Sequence, residues 1–390
     1  MSQSPVIQVD EASEAKLPRR DIWLLPLISL LTIAVCLLGV NVIASRLFVS
    51  APEGACPVSD AKIGWRYRPN CVMTEKNAEG PWVTAYYNAC GYRSNEPCGP
   101  KPPGTTRIAL LGSSTGEGAY IPYDRDFATR TASQLTRILQ RPVEVQNLSR
   151  VACYPLCQYR LVDEALALKP DVLVMITDSF DMEHLNPEEM ANRDEQAGPE
   201  APFAEVANGD AGSAASRTLL KRLKWLASKG SFGFAAQHYL FQNTSLYAHI
   251  FLKYGDRADF LRVPFSPAWE KRFEAFEVLL DETNRKARAA HVPFVLLEQP
   301  SLAQAAVLKM QDRPPSVDPY AFNTRLRQIA ERHGVQFADP LDLFNQQPGI
   351  AKLYYIVDTH PDSAGHALLA EALVRQLLKD DRAALMGHEQ

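Results

Sequence analysis

Apolar and polar positions follow a repeating order from about residue 105 onward, where short apolar runs alternate with longer segments of helical spacing. Continuous apolar runs linked by amphipathic helices are typical of a parallel sheet covered on both faces. The sequence therefore predicts an α/β fold with three α/β/α layers and about five mainly parallel strands. The predicted strands are 107–111, 143–148, 169–178, 292–297 and 335–338, and the predicted helices are 127–139, 156–168, 269–290, 320–333 and 363–378.

A long uncharged run near the N-terminus precedes this pattern. Residues 22–45 carry no charged side chain. At a rise of 1.5 Å per residue, about 20 apolar residues cross the hydrocarbon of a bilayer, so the run is long enough. We expect an uncleaved transmembrane anchor over 22–47. A buried core helix and a cleaved signal peptide are the alternatives, but the apolar region of a signal is typically about 7–15 residues long.

The charges that flank this run predict its orientation. Basic side chains are more numerous before it than immediately after it, with Lys16, Arg19 and Arg20 against Arg46. By the positive-inside rule, residues 1–21 form a cytoplasmic tail and the rest of the chain is exported. The net charge of −4 gives no reason to expect a nucleic-acid partner.

Residues 48–104 are rich in Pro, Gly and Cys, and we expect an irregular, disulfide-tied juxtamembrane segment with little strand. An even number of cysteines in an oxidising compartment predicts up to three disulfides, whose pairing the sequence leaves open. The six candidates are Cys56, Cys71, Cys90, Cys98, Cys153 and Cys157. A local bridge between the last two is plausible. No metal site is expected, because zinc would require C-x-x-C or paired histidine ligands that this sequence lacks.

The large domain is expected over 105–380, with a short tail at 381–390 and an insertion at about 185–265. With 46% hydrophobic and 22% charged residues, the composition is that of a folded protein. Within the insertion, 192–216 lacks periodicity and predicts a loop, whereas 217–226 and 238–252 predict two helices. The first of these is basic and amphipathic. We favour a solvated helix packed on the sheet over a lid or a membrane-surface helix.

A serine follows the first predicted strand of this domain. Residues 107–118 read R-I-A-L-L-G-S-S-T-G-E-G, with Ser114 just past the apolar run. In open parallel sheets, ligands bind at the carboxyl ends of strands, so this serine is well placed. The motif also matches the nucleophile elbow of α/β-hydrolases, but that elbow follows several strands of the sheet. A structural turn or a phosphate cradle is the alternative for this motif alone.

A second motif, D-T-H-P-D-S-A-G-H, lies near the other end of the chain. Asp358 is two residues before His360 and can orient its ring and stabilise the imidazolium. With Ser114, these residues supply the nucleophile, base and orienting acid that serine acyl transfer requires. His366 falls within the following helix, where packing or capping suits it better. Two other acids are alternative orienters, Asp181 and Asp339.

At these motifs the sequence resembles the SGNH (GDSL-type) hydrolase superfamily, in particular its membrane-anchored bacterial members, over about 105–378. Residues 108–118 resemble the first block, with Ser114 as nucleophile and Ser113 where an aspartate is common. Residues 358–366 resemble the fifth block, in which Asp358 and His360 complete the triad. Upstream, I-G-W-R-Y-R-P-N and N-A-C-G-Y-R resemble the segment that precedes the first block in anchored members.

Two further blocks concern the oxyanion hole. Residues 145–153 resemble the second block, in which Asn147 is typical and Ala152 stands where a glycine usually donates its backbone N–H. Residues 169–181 resemble the third block, but Phe180 replaces the asparagine that normally donates before the aspartate, here Asp181. Losing one such donor costs about 10²–10³ in rate. The resemblance leaves the following candidate donors: the backbone N–H groups of Ser114 and Ala152, with Ser179 as a substitute.

The expected function is that of a serine acyl-ester hydrolase or O-acyltransferase, anchored in a bacterial inner membrane with its domain in the periplasm. The expected substrate is an O-acylated cell-envelope polysaccharide or lipid, and no cofactor is implied. A transferase would need a multi-span membrane partner, because one helix is too few to carry an acyl donor across. The alternative is a catalytically weak or inactive protein of this fold that binds glycan or serves polysaccharide assembly, since Phe180 can stack on a sugar.

Overall fold

One apolar helix leads the described part of the chain. The structure is a computed structural model and describes residues 19–47, 51–53, 56–195, 197, 231–380 and 384–385. Helix α1 spans Arg19–Leu47, and its stretch Trp23–Leu47 is long and apolar enough to cross a membrane. The predicted span 22–47 therefore coincides with a single helix. The predicted tail 1–21 and the C-terminal tail 381–390 lie almost wholly outside the described residues.

Short strands follow helix α1, so the prediction of an irregular 48–104 segment with little strand is wrong. Strands β1, β4 and β5 form a three-stranded antiparallel sheet, and β2 pairs with β3 in a hairpin. Alternate side chains of β4 and β5 are buried, but this period-2 pattern spans only five residues in each strand and does not stand out among prolines and glycines. The strands are β1 Ala51–Glu53, β2 Pro57–Asp60, β3 Gly64–Tyr67, β4 Val72–Lys76 and β5 Trp82–Tyr86.

The six cysteines that follow helix α1 form three disulfides, the number that the sequence allows. The pairs are Cys56–Cys71, Cys90–Cys98 and Cys153–Cys157. The first pair borders a small core of its own, formed by Trp65, Tyr67, Met73, Ala85 and Tyr87. So small a core supplies little stability by itself, so covalent bonds are the expected reinforcement of this segment.

Five parallel strands form the central sheet, as the apolar runs predict. Their order across the sheet is β10-β9-β8-β6-β7, and every neighbouring pair is parallel. Strands β6, β8 and β9 are buried at every position, as expected for strands covered on both faces. The strands are β6 Thr106–Leu111, β7 Val143–Asn147, β8 Val172–Thr177, β9 Phe294–Glu298 and β10 Gln336–Ala338.

Helices cover both faces of this sheet, which confirms the three-layer α/β/α architecture. Helices α3 and α12 pack together, while α4 packs on α8 and α8 on α10; right-handed crossovers direct these two groups to opposite faces. The helices after α1 are α2 Ser114–Glu117, α3 Phe127–Leu139, α4 Pro155–Ala167, α5 Ser179–Glu183, α6 Ser231–Leu240, α7 Thr244–Phe251, α8 Pro267–Ala289, α9 Leu302–Leu308, α10 Ala321–Arg332, α11 Leu341–Gln346 and α12 Ser363–Asp380.

The insertion differs from its prediction in one respect. The single helix predicted over 238–252 is divided into α6 and α7, because the Asn243 side chain accepts the N–H of Leu246 and caps a new helix. Helix α6 packs against helix α1. The predicted helix 217–226 and nearly all of the predicted loop 192–216 lie outside the described residues.

The strand order determines where a ligand site is expected. Counted along the chain, the order is 2-1-3-4-5, and the connections change direction between β6 and β8. Crevices at such a switch point, beyond the carboxyl ends of the strands, are the usual ligand sites of open α/β sheets. Ser114 follows β6 and Ser179 follows β8, so both lie at this point.

The β1–β5 region and the loop that follows it dock on helix α4 and the loop before it. Arg66 forms an ion pair with Glu164 at 3.2 Å, and the Tyr92 hydroxyl donates to the same carboxylate at 2.8 Å. The guanidinium of Arg150 lies 4.6 Å from the ring centre of Trp65. These contacts hold residues 56–104, the described part of the juxtamembrane segment that follows β1, against the switch-point side of the domain.

Candidate active site

Ser114 begins a short helix directly after strand β6. The turn packs closely on β8 and on the loop after β7, because a Cβ added at Gly112 would lie 2.3 Å from the Ile176 side chain and one at Gly116 would lie 2.8 Å from Ser149 Oγ. Glycine is therefore required by space at both positions. Helix α2 ends at Gly118, whose φ of 81° is left-handed. This local structure places the Ser114 hydroxyl at the carboxyl edge of the sheet.

The structure brings the three predicted triad residues into one hydrogen-bonded chain. Ser114 Oγ lies 2.7 Å from His360 Nε2, and His360 Nδ1 lies 2.5 Å from Asp358 Oδ1. When Nδ1 donates to the carboxylate, Nε2 is left as the acceptor of the serine O–H. Between the acid and the base, Thr359 has a φ of 74°, which is strained for a β-branched residue. This backbone conformation is part of the loop in which the Asp358 and His360 side chains meet.

The electrostatics of this chain favour a charged pair. Burial disfavours protonation of His360, but the charge of Asp358 and its hydrogen bond outweigh burial and raise the pKa of the imidazole above its ordinary value. Burial likewise opposes ionisation of Asp358, yet the charge and hydrogen bond of His360 lower the pKa of that carboxyl. The pair therefore stabilises an imidazolium, as a base that takes a serine proton requires.

Two acids that were alternative orienters have other partners. Asp339 accepts hydrogen bonds from Asn323 at 2.7 Å and Arg327 at 2.5 Å. Asp181 is buried and hydrogen-bonded to Ser113 and Gln158. Burial and the adjacent Asp178 hold the pKa of Asp181 well above its usual range. Asp358 is thus the acid in contact with the His360 ring.

The juxtamembrane segment contributes polar side chains that surround the triad, and the sequence did not indicate them. The Glu79 carboxylate accepts the backbone N–H groups of Val357 at 2.9 Å and Asp358 at 3.1 Å. The Asn77 side chain forms a hydrogen bond with the Asp358 carboxylate. Glu79 also contacts His238 Nδ1 of helix α6 at 2.7 Å. The loop that carries the orienting acid is therefore held by a turn about 280 residues earlier in the chain.

Glu75 is a second acid of this segment beside the site. Its carboxylate accepts the N–H of Tyr120 at 2.8 Å, and its charge contributes to the raised pKa of His360. The Tyr120 ring lies 5.8 Å from the His360 ring in an edge-on arrangement. The signal available in the sequence was an acid on the inward face of β4, two residues after the buried Met73.

The glutamate of the nucleophile motif, Glu117, is also a residue that sequence reasoning missed. Its buried carboxylate accepts the Tyr87 hydroxyl at 2.7 Å, the Tyr67 hydroxyl at 3.1 Å and the Val151 N–H at 2.8 Å. Burial and the charge of Glu75 raise the pKa of Glu117 to about 7. Glu117 therefore connects helix α2 to the juxtamembrane segment and to the loop before Ala152.

The predicted oxyanion residues lie around the same edge. Ala152 has a φ of 58°, which explains why a glycine would suit this position. The Asn147 side chain donates to the Gly116 carbonyl at 2.9 Å and so braces the Ser114 turn. Ser179 is buried at the start of helix α5. The roles of Ser114 and Ala152 as backbone donors stay predictions.

His366 has the structural position that the sequence suggested. It is buried, and its Nδ1 accepts the N–H of Phe127 at 3.1 Å, at the start of helix α3. Burial lowers the pKa of this imidazole to about 3. Among the residues that the structure describes, no group of three or more His, Cys, Asp or Glu side chains is arranged to hold a metal ion.

Phe180 is at the surface, 51% exposed, and contacts two other rings. Its centroid lies 4.3 Å from that of His184 and 6.1 Å from that of Tyr154. Tyr154 and His184 are stacked at 4.5 Å. Phe180 thus provides an apolar ring where the resemblance expects an amide donor.

No family model and no curated protein matches this chain. Similar solved structures include a lipolytic protein of the G-D-S-L family from Desulfitobacterium hafniense DCB-2. It has 14% identity and a TM-score of 0.35, and the match covers 70% of this chain and 99% of that chain. A lipase/acylhydrolase from Enterococcus faecalis has 12% identity, 70% and 95% covered and a TM-score of 0.38. A psychrotrophic esterase from Pseudoalteromonas has 11% identity, 70% and 97% covered and a TM-score of 0.36. The first of these proteins carries the name of the family that the sequence motifs resemble. Similarities this low concern the fold alone and assign no chemistry to this chain.

Proposed function

We propose that this chain is a membrane-anchored, exported serine acyl-ester hydrolase or O-acyltransferase. Ser114 is the nucleophile, His360 the general base and Asp358 the acid that orients the base. The observation that carries the proposal is the hydrogen-bonded chain from Ser114 Oγ to His360 at 2.7 Å and on to Asp358 at 2.5 Å. Its position at the switch point of a parallel sheet supports the same conclusion.

The first half-reaction forms an acyl-enzyme. His360 Nε2 takes the proton of Ser114 Oγ as that oxygen attacks the ester carbonyl carbon, and the carbonyl oxygen becomes an oxyanion. Asp358 stabilises the imidazolium that results. The imidazolium then protonates the departing alcohol oxygen, the C–O bond of the ester breaks, and the acyl group remains on Ser114.

The second half-reaction releases the acyl group. His360 takes a proton from water, whose oxygen attacks the acyl-serine, and then returns the proton to Ser114 Oγ as the carboxylic acid leaves. A sugar hydroxyl in place of water would make the reaction a transfer. A transferase would need a separate multi-span membrane protein to deliver the acyl donor.

The oxyanion would rest on backbone N–H groups at Ser114 and Ala152. The Phe180 side chain cannot donate a hydrogen bond as an asparagine would, and the loss of one oxyanion donor lowers the rate about 10²–10³-fold. We therefore expect slow turnover of simple esters. The same exposed Phe180 favours a second candidate function, a glycan-binding or polysaccharide-assembly protein without catalysis, because an aromatic ring packs well on a sugar ring.

The proposed location is supported by helix α1 and its flanking charges. The apolar stretch Trp23–Leu47 serves as a single-pass anchor, and the excess of basic residues before it favours a cytoplasmic N-terminus in a bacterial inner membrane. The three disulfides agree with an oxidising compartment. An exported domain held there meets envelope polysaccharides and lipids, so O-acylated forms of these are the proposed substrates.

Hydrolysis of p-nitrophenyl acetate by the purified full-length chain in detergent micelles tests the proposal. We expect turnover that falls at least about 10³-fold in Ser114→Ala, because the nucleophile is lost. A fluorophosphonate should label the wild-type chain at Ser114, as read by peptide mass spectrometry. Equal turnover in both proteins, with no labelling of Ser114, would favour the non-catalytic candidate.

A further inference from the structure

Three aromatic side chains from two segments of the chain form one cluster at the surface. Tyr154 and His184 stack with centroids 4.5 Å apart and planes 15° apart. Phe180 lies 4.3 Å from His184 at an angle of 50° and is itself 51% exposed. Single exposed apolar side chains are ordinary on a protein surface, whereas three clustered aromatic rings form a patch of the kind that binds ligands. We call Tyr154, Phe180 and His184 the aromatic surface.

The aromatic surface adjoins Ser114 through the register of the central sheet. Leu111 of β6 pairs with Met175 of β8, and Ser114 and Asp178 are each three residues beyond this pair. Neighbouring strands are about 4.8 Å apart. The turn that leads from β8 to Phe180 and the turn that carries the nucleophile therefore leave the sheet side by side. The Asp178 carboxylate accordingly interacts electrostatically with both His360 and His184.

The segment that carries Tyr154 adjoins the site from the other side. Tyr154 is two residues after Ala152, the proposed second oxyanion donor, and the Cys153–Cys157 disulfide fixes the chain between them and helix α4. The aromatic surface therefore borders the proposed oxyanion donors, where the remainder of an ester bound at Ser114 can contact it.

The chemistry of the rings favours a sugar over an acyl chain. A pyranose presents a face of C–H groups that packs flat on an aromatic ring and a rim of hydroxyls that need polar partners. His184 Nδ1 donates to the Phe180 carbonyl at 2.8 Å, so in the neutral tautomer its Nε2 is an acceptor for a hydroxyl. An acyl chain needs apolar walls on several sides, which a half-exposed ring on the surface does not provide.

We propose that the aromatic surface binds a pyranose ring of the substrate, so that the ester cleaved at Ser114 is carried by a sugar hydroxyl. This inference rests on the proposed function, and it assigns the replacement of the third-block asparagine by Phe180 to substrate binding. Tyr154 and His184 orient Phe180, and His184 adds a polar contact to the sugar rim.

Steady-state kinetics on three esters test this assignment in the full-length chain. The esters are an O-acetylated xylo-oligosaccharide, ethyl acetate and ethyl octanoate; the ethyl esters carry no ring on the alcohol side, and the acid released is measured by pH-stat titration. We expect Phe180→Ala to raise KM for the oligosaccharide about 3- to 10-fold, the range that one aromatic contact supplies, and to leave KM for ethyl acetate within about twofold. Phe180→Leu should behave like the alanine variant, because leucine has no ring face for the sugar although it keeps most of the apolar volume. Phe180→Trp should restore the low KM.

The matched control is Trp82→Ala, which removes an aromatic ring of similar exposure, 48%, from strand β5. This variant should match the wild type on all three esters. An equal loss on every ester in Phe180→Ala would assign Phe180 a structural role and overturn the proposal. A loss greatest for the octanoate and absent in Phe180→Leu would assign the surface to an acyl chain, which also overturns it.

Binding to the inactive chain separates this inference from the proposed catalysis. Ser114→Ala should bind the deacetylated xylo-oligosaccharide with a Kd that Phe180→Ala weakens about 3- to 10-fold, measured by titration calorimetry. If the wild type cleaves no ester but this binding and its dependence on Phe180 persist, the proposed chemistry fails and the sugar site stands. If esters are cleaved but neither KM nor Kd responds to Phe180→Ala, the proposed sugar site is contradicted and the proposed catalysis stands.

Discussion

The α/β domain and the juxtamembrane segment meet at the same site but contribute different kinds of residue. The domain supplies the groups proposed to react, Ser114, Asp358 and His360, from loops at the carboxyl edge of its sheet. The segment supplies none of them. Its acid Glu79 instead accepts a backbone N–H of the loop that carries Asp358. Glu75 accepts the N–H of Tyr120, and its charge helps to raise the pKa of His360. Reactive groups and several of the groups that position them thus come from different parts of one chain.

This division is physically reasonable because the triad loop is not self-supporting. Thr359 has a left-handed φ of 74°, and such strain persists only where the surroundings hold it. Two N–H groups just before it, at Val357 and Asp358, donate to Glu79. The segment therefore holds the loop that orients the base, and we call the contacts of Glu79 with this loop the clamp.

The largest effect is expected from the domain's orienting acid. Asp358→Asn should lower kcat/KM for p-nitrophenyl acetate about 10⁴-fold, because the imidazole loses both its correct tautomer and the charge that stabilises its protonated form. Activity requires neutral His360, so it falls as pH drops through the pKa of that imidazole. Since Asp358 raises this pKa, its loss should move the acid limb of the pH profile to lower pH.

The control for this variant is its circular dichroism spectrum, which should match that of the wild type. A residual activity with an unmoved acid limb would mean that another group orients the ring.

The next largest effect is expected from the disulfide that closes the segment. Replacing Cys56 and Cys71 by serine frees a loop of 15 residues and should lower the free energy of unfolding by about 3 kcal/mol. Thermal denaturation of the full-length chain measures this as a lower Tm. Activity should fall as well at temperatures far below Tm, because Glu79 loses its rigid support.

Full activity in a chain with a lower Tm would show that the segment stabilises the fold without positioning the triad. A matched variant replaces Cys90 and Cys98, whose loop spans 8 residues and lies after β5. It should lower Tm by less, because a shorter loop loses less entropy on closure.

The groups that react could be predicted from sequence, because short motifs specify them. An apolar run ending in G-S-S-T-G places a serine at a strand end, and D-T-H places an acid within reach of a base. The sheet could be predicted for a similar reason: strands buried on both faces must be continuously apolar, as β6 and β8 are. Both inferences depend on residues close together in sequence.

The positioning groups could not be predicted in this way. Glu79 lies in a polar turn that resembles any exposed turn, and its partner Val357 is 278 residues away. Only tertiary folding of the whole chain brings them together. Asn243 shows a local limit of the same kind, because one capping side chain divides what the apolar spacing suggests is a single helix.

A smaller effect on activity is expected from the clamp itself. Glu79 is buried, with only 3% of its side chain exposed, so Glu79→Ala leaves two N–H groups without their acceptor, at about 1–3 kcal/mol for each. We expect kcat to fall about 10- to 100-fold through a displaced Asp358, with little change in KM for p-nitrophenyl acetate. Steady-state kinetics measure this split.

The conservative variant distinguishes positioning from general stability. Glu79→Gln keeps a carbonyl oxygen that can accept both N–H groups, so it should restore most of kcat. Equal losses in the alanine and glutamine variants would contradict the clamp. A normal kcat in Glu79→Ala would show that the domain holds its triad loop without the segment.

The smallest effect is expected from the charge of Glu75, which acts on His360 without touching the reacting atoms. Glu75→Gln keeps an acceptor for the Tyr120 N–H but removes one of the negative charges that raise the pKa of His360; those of Asp358 and Asp178 remain. The sign is the same as for Asp358→Asn: with less stabilisation of the imidazolium, its pKa falls and the acid limb of kcat/KM moves to lower pH.

The shift should be a fraction of a pH unit, and kcat on the plateau should change little, because orientation of the ring is preserved. Comparison of this variant with Asp358→Asn shows how much of the rise in the His360 pKa comes from the segment and how much from the domain. An acid limb that stays in place, or moves to higher pH, would confine the electrostatics of the base to the α/β domain.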